Sequence, residues 1–254
     1  MPIIPTPSSF HLALTPAVLY ELAYYHGRKP DNHLTTFLGA LFCDGRRRTL
    51  LDCACGTGEP GLHLAPLLET TCVDASEDMI VIAKAKAKRL GVSPRFIAAR
   101  WSELGRLLVE RFDVVMCAGA ALCQIEERAE RRRSLSAMSA RVASGGLFYI
   151  DYLMARDSVA HASIQTSVVG PFRHKGDSLL VIIHERYSHH RIDRTKTCLS
   201  VITPTPRIVL QVHSFTILLP EEEIRGDLLA LGLRNIKSFH RPGRWPMNCL
   251  LAER

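Results

Sequence analysis

The stretch LLDCACGTGEPGLHLA (50–65) restricts the fold more than any other part of the chain. Leu50 and Leu51 lie in an apolar run of strand character. Glycines follow at once, and a helical pattern follows the glycines. Gly56, Gly58 and Gly61 satisfy G-x-G-x-x-G. A strand that turns through glycines straight into a helix predicts a parallel sheet with helices on its faces. One acid, Asp52, stands near the end of that strand, ahead of the glycines.

The rest of the chain repeats the alternation. Residues 15–42 read as helical, opened by Pro16 at a first-turn position and broken by HGRKPDN. TLLDCAC is the first strand, with a helix near 59–68 after it, and TTCVDA is the second, ending at Asp74. Ser76 caps a helix of about four turns. Glu77 and Asp78 fall in its first turn and Lys84, Lys86, Lys88 and Arg89 near its end, which complements the helix dipole; Gly91 supplies the stop. RFIAA, FDVVMCAG and LFYIDYL read as the third to fifth strands, with a Glu- and Arg-rich helix running to about 143. After 155 the pattern changes. SLLVIIHERY, KTCLSVITP and RIVLQVHSFTIL are strand-like runs with no helix between them, as in an antiparallel sheet lying over one end of the domain. LPEEEIRGDLLALGL reads as a helix starting just after Pro220 and ended by Gly232, and RNIKSFH and MNCLLAE are closing strands. The expected organisation is an N-terminal helical cap (1–44), a ligand-binding core (45–154), an antiparallel lid (155–218) and a helix with strands completing the core (219–254).

Composition narrows the function classes. The 254 residues, 47% hydrophobic and 22% charged, suit one globular domain with room for an appended subdomain. MPIIPTPSSF lacks the basic segment and long apolar core of a signal peptide, and no apolar run approaches the ~20 residues of a membrane helix. A soluble, cytoplasmic protein that engages no membrane is the expectation. The net charge is +7, with arginines clustered in GRRRT and ERRRS and basic residues in HHRIDRTKT. These read as solvated surface rather than as a nucleic-acid track. The eight cysteines lack zinc-type pairing and lie in apolar runs, so neither a metal site nor a disulfide framework is expected.

In an open parallel sheet, ligands bind at the carboxyl ends of the strands. Gly56 and Gly58 let the backbone turn there and approach a ligand closely. From the end of the second strand, Asp74 can accept hydrogen bonds from both hydroxyls of an adenosine ribose. These features suit a nicotinamide cofactor as well as S-adenosylmethionine. Asp52 favours the second, because a carboxylate disfavours a pyrophosphate and welcomes an ammonium group.

With LDCACGTG, VDASEDM, ARWSEL and FDVVMCAGAALCQI in this order, residues 45–155 resemble the class I S-adenosylmethionine-dependent methyltransferases. Within that family, ARW, CAGAALCQI and GGLFYIDY are most similar to the glycine N-methyltransferase-like group. The resemblance implies a Rossmann-like fold, a doubly wound, seven-stranded, mostly parallel α/β sheet. It also implies roles for residues. Ala54, Gly56 and Gly58 line the methionine part, with Asp52 near its amino group. Asp74 takes the ribose, Ala75 and Met79 flank the adenine, and Trp101 and Ser102 border its edge. Cys117, Ala118 and Gly119 pass beneath the methionine chain with Leu122 nearby, and Arg28 reaches the cofactor carboxylate. Three positions depart from the family. Arg100 stands where an adenine-binding Asp or Asn is common, Ala120 replaces an asparagine, and Leu153 replaces the arginine that holds a glycine carboxylate. Glycine is therefore disfavoured as acceptor.

The expected reaction is in-line methyl transfer to an amine or acidic hydroxyl of a small molecule, driven by positioning. Tyr25, Gln124 and Tyr152 are the candidates that face the acceptor. A nicotinamide-dependent oxidoreductase and a catalytically silent cofactor-binding protein are the alternatives, with RNA methylation a lesser one. A homo-oligomer is compatible with all of them.

Overall fold

The computed structural model describes residues 13–26, 32–45, 48–154, 163–174, 177–201, 207–242 and 247–254. In chain order the elements are α1 (Pro16–Tyr24), α2 (Asn32–Phe42), β1 (Thr49–Asp52), α3 (Gly61–Leu64), β2 (Glu69–Asp74), α4 (Glu77–Leu90), β3 (Arg95–Ala98), α5 (Leu104–Leu107), β4 (Phe112–Cys117), α6 (Arg128–Ser139), β5 (Val142–Tyr152), β6 (Ser163–His174), β7 (Asp177–Tyr187), β8 (Arg191–Ser200), β9 (Arg207–Ile217), α7 (Glu221–Ala230), β10 (Arg234–Arg241) and β11 (Met247–Glu253). They fall into two compact units. One is Asp31–Arg156 with Thr216–Arg254; the other joins the described parts of Met1–Pro30 and Asp157–Phe215.

The first unit holds a seven-stranded sheet in the order β10-β11-β5-β4-β1-β2-β3. β1 runs parallel to β2 and β4, β2 to β3 and β4 to β5, while β11 is antiparallel to both β5 and β10. This is the doubly wound, mostly parallel sheet that the alternation predicts. Side-chain alternation splits its strands between two apolar layers. Leu51, Val115, Phe148 and Ile150 enter one layer, and Leu50, Val114, Met116 and Tyr149 enter the other. Burial on both faces is why these strands read as continuous apolar runs. α4 forms as its caps dictate. The Ser76 side chain accepts from the Met79 amide, and Gly91 ends the helix in the left-handed conformation at φ +69°. The helices near 59–68 and up to about 143 are shorter than the sequence suggests, ending at Leu64 and Ser139.

The arginine cluster on α6 is not simply solvated. Arg131 is buried and donates to the carbonyls of Ile125 (3.0 Å) and Glu126 (2.6 Å) and to Glu223 (2.6 Å). Arg128 and Arg132 pair with Asp227 at 3.4 and 3.3 Å. The acids of α7 neutralise the arginines of α6, a pairing 92 to 99 residues apart in sequence. Arg46 and Arg47 of the first cluster lie outside the described residues.

The second unit is an antiparallel sheet, β6-β7-β8-β9, with α1. It has four strands where the sequence shows three. β6 (SIQTSVVGPFRH) escaped notice because it is an edge strand, mostly exposed, with no apolar alternation and a bulge between Val169 and Phe172. The two helices of the N-terminal segment are divided: α1 belongs to this unit and α2 to the other. On β8, the buried Lys196 Nζ lies 5.0 Å from the Tyr24 ring centroid and 5.4 Å from that of Tyr20, both on α1. All eight cysteines are free and all but Cys43 are buried. Among the described residues no group of His, Cys, Asp and Glu is arranged to hold a metal, and no helix is long and apolar enough to cross a membrane.

Candidate functional site

The carboxyl ends of β1, β2, β3 and β4 meet on one side of the sheet, around the point where the strand order reverses between β1 and β4. The loop after β1 is tied to β2 by backbone and side chain. Cys55 N donates to the Val73 carbonyl at 3.0 Å. Gly56 N donates to Asp74 Oδ2 at 2.9 Å, and Ser76 N donates to Asp74 Oδ1 at 2.9 Å. One carboxylate thus fixes both the glycine loop and the entry to α4. Each of its oxygens keeps a further lone pair. Burial raises the Asp74 pKa, opposed by these two amides.

Gly56 and Gly58 adopt φ of +51° and +107°. At Gly58 a Cβ would strike Leu62 at 2.4 Å, so that glycine serves packing. At Gly56 and Gly119 a Cβ would meet no atom of the described residues within 4 Å. Both loops therefore leave open space beside the backbone, the form of a cradle for a ligand.

Asp52 is fully buried. Its Oδ1 accepts from Ala54 N at 3.2 Å, while Oδ2 finds no well-formed hydrogen bond among the described residues and faces the Gly61 amide. The Gly61 backbone lies against Oδ2, and a Cβ there would come within 2.4 Å, which explains the third glycine. Burial pushes the Asp52 pKa up to about 7, with the Ala54 amide opposing and Asp74 and Asp151 adding to the rise. A carboxyl so poised ionises when a cation settles beside the loop. Thr57, in the same loop, is buried with no partner for its hydroxyl among the described residues, a residue that the sequence reading passed over.

Trp101 stands after β3 with its indole Nε1 donating to the Cys53 carbonyl at 2.6 Å, so the ring is pinned at the end of β1. Ser102 and Ala75 are exposed and Met79 is half-buried. Cys117 and Ala118 are buried at the end of β4, followed by Gly119, Ala120 and a 3-10 turn, Ala121–Gln124, that buries Leu122. Arg28 lies outside the described residues.

The acceptor-facing candidates are not equivalent. Gln124 is exposed, and its Nε2 donates to Thr216 Oγ1 at 3.0 Å. Tyr152 is buried, and its hydroxyl donates to Glu221 Oε2 at 2.8 Å, which ties β5 to α7. Burial and the Glu221 carboxylate raise its pKa. Tyr25 belongs to the other unit, where its ring packs against Tyr20 and Tyr24.

Comparison with known proteins bears directly on these strand ends. Residues 50–146 match the family described as "Methyltransferase domain". The chain is 29% identical over 132 residues to a glycine/sarcosine N-methyltransferase of Aphanothece halophytica, covering 52% of this chain and 49% of that protein. It spans about half or less of the length of the curated relatives it matches. Its fold matches the sugar N-methyltransferase KedS8 of Streptoalloteichus (TM-score 0.76, 21% identity, 100% of this chain and 98% of that one). It also matches CalS10, an amino pentose methyltransferase of Micromonospora echinaspora (TM-score 0.72, 21% identity, 96% and 100%). The matched segment begins in β1 and ends in β5, so it takes in every strand end described above.

Proposed function

We propose that this chain transfers the methyl group of S-adenosylmethionine to an amine of a small molecule. The observation that carries the reading is the Asp74 carboxylate bound to the amide of Gly56, with open space beside that glycine and beside Gly119, all inside the matched segment. When bound, the cofactor supplies an activated methyl group on a sulfonium. Asp74 offers its remaining lone pairs to the ribose hydroxyls. Trp101, Ala75, Met79 and Ser102 border the adenine. Ala54, Gly56 and Gly58 line the methionine part, and Cys117, Ala118, Gly119 and Leu122 lie beneath it. Asp52 acts from under the loop, giving up its proton when the ammonium approaches. The acceptor nitrogen needs only to arrive unprotonated and in line with the methyl carbon, so the protein aligns it and excludes water. Gln124 keeps its side-chain oxygen for the acceptor, whereas Tyr152 is engaged with α7.

An amine is favoured because two of the proteins compared above are named as N-methyltransferases and the third as an amino pentose methyltransferase. Incubation with methyl-labelled S-adenosylmethionine and a panel of amino sugars, glycine and sarcosine tests it. Label transferred to an amino sugar is the expected result. No transfer to any amine, together with no calorimetric binding of the cofactor, would overturn it.

A further inference from the structure

We infer that Asp151 and Arg241 are positioning residues: this buried pair holds the turn after β4 in its left-handed course and thereby sets the ground on which the methionine part of the cofactor is laid. What the turn carries rests on the methyltransferase reading; the clamp itself rests on geometry. Gly119 and Ala120 leave β4 with consecutive positive φ angles, +76° and +53°. Glycine accepts this conformation freely, and alanine adopts it only at a cost. Among the described residues only Ala120 and Asn235 are non-glycine residues with positive φ. Ala120 N donates to Asp151 Oδ1 at 2.7 Å, a short, charge-assisted bond.

The acceptor is itself fixed. β4 pairs with β5 up to Cys117 opposite Ile150, so Asp151 sits one residue beyond the last rung, where the turn lifts away. Its side chain is 1% exposed, and Oδ2 lies 3.1 Å from Nε of Arg241, 5% exposed, at the end of β10. The Tyr149 hydroxyl adds a longer contact at 3.5 Å. An apolar pair would pack here at least as stably, since burying two charges gives little net stability. What the ions provide is a rigid anionic acceptor for the backbone of the turn, directly for the Ala120 amide and in addition for that of Gly119. Gly119, the residue on the open side of the Ala120 amide, has free space among the described residues where its Cβ would project. A residue on the outer β10 thus governs a turn that lies beyond two intervening strands of the sheet.

The test is a cycle of four proteins: wild type, Asp151→Ala, Ala120→Gly and the double variant. Each is titrated calorimetrically with S-adenosylmethionine and unfolded in denaturant without it. We expect Asp151→Ala to weaken cofactor binding about tenfold, about 1.4 kcal/mol. Ala120→Gly alone should change it less than about threefold. In the Asp151→Ala background it should restore most of the loss, because glycine holds φ +53° unaided. Denaturation should show the same coupling, with Ala120→Gly stabilising Asp151→Ala more than wild type. Where Asp151→Ala fails to fold, Arg241→Gln takes its place, with the same rescue expected. Additive effects in both measurements, or wild-type affinity in a folded Asp151→Ala, would overturn the inference. Coupling in denaturation by a wild type that binds no S-adenosylmethionine would support the clamp and overturn the methyltransferase reading instead.

Discussion

Single residues at the strand ends carry two expectations. On the proposed reading, Asp74→Ala removes acceptors for the ribose, each charged bond amounting to about 1.5–3 kcal/mol. Cofactor affinity should fall at least about tenfold, and calorimetric titration that finds it unchanged would remove the ribose assignment. Asp52 makes a prediction about pH. Its carboxyl rises from the ordinary 3.8 to about 7 through burial. The folded state therefore holds a proton that the unfolded state has released between those values. The stability so gained is complete below about pH 4 and lost as pH rises through 7. Asp52→Asn should flatten stability across this window and make the cofactor-free protein more stable at pH 8, by about 2–4 kcal/mol at roughly 1.4 kcal/mol per unit. Chemical denaturation at pH 5 and pH 8 measures both; equal slopes for the two proteins would mean that Asp52 is ionised in the folded state.

Elements bring together charges that no local pattern pairs. On α6, Arg131 is buried with three acceptors, whereas its neighbour Arg133 is exposed. Removing Arg131 takes the donor from two carbonyls and leaves Glu223 only its longer contact with Arg128 at 3.7 Å, so Arg131→Ala should cost about 2–4 kcal/mol in denaturant unfolding. Arg133→Ala should stay within about 0.5 kcal/mol. Equal effects would show that the α6–α7 pairing is decorative. In the antiparallel unit, burial lowers the Lys196 pKa from 10.5 to about 8, with Arg194 adding to the fall and Glu185 opposing it, while the rings of Tyr20 and Tyr24 face the ammonium. The unfolded chain then binds more protons between those values, so stability rises as pH climbs from about 8 to 10.5. Lys196→Met should abolish that rise; a rise that persists would assign it to another group.

At the scale of the whole molecule, the net charge of +7 invites a polyanionic partner. Among the described residues, nine of the arginines besides Arg241 are met by carboxylates. Arg95 pairs with Glu110, Arg106 with Glu103, Arg128, Arg131 and Arg132 with the acids of α7, Arg191 and Arg186 with Asp193, Arg194 with Glu185, and Arg225 with Glu221. Aromatics, which stack bases in single-strand binders, are only 7% of the chain. Bulk RNA should therefore bind more weakly than about micromolar at physiological salt, and weaken further as salt rises. A fluorescence-anisotropy titration finding tighter, salt-resistant binding would reopen the nucleic-acid reading.

The sequence alone determined what depends on near neighbours in the chain. The glycine loop, the Ser76 cap, the Gly91 stop and the strand–helix alternation each act within a few residues, where steric and hydrogen-bonding rules are strict. Together they gave the parallel core and the place of Asp74. The tertiary structure alone decided what depends on distant partners. β6 has no apolar period because an edge strand buries little, so only its pairing with β7 reveals it. Tyr152 looked available at its strand end until Glu221, 69 residues on, took its hydroxyl. Arg131 looked like one more surface charge until Glu223 met it. The left-handed turn at Ala120 is written nowhere near Ala120: it is held by Asp151, 31 residues away, whose charge is in turn balanced by Arg241. A buried charge is tolerated only with its partner in contact, and that partner is set by the fold rather than by the local sequence.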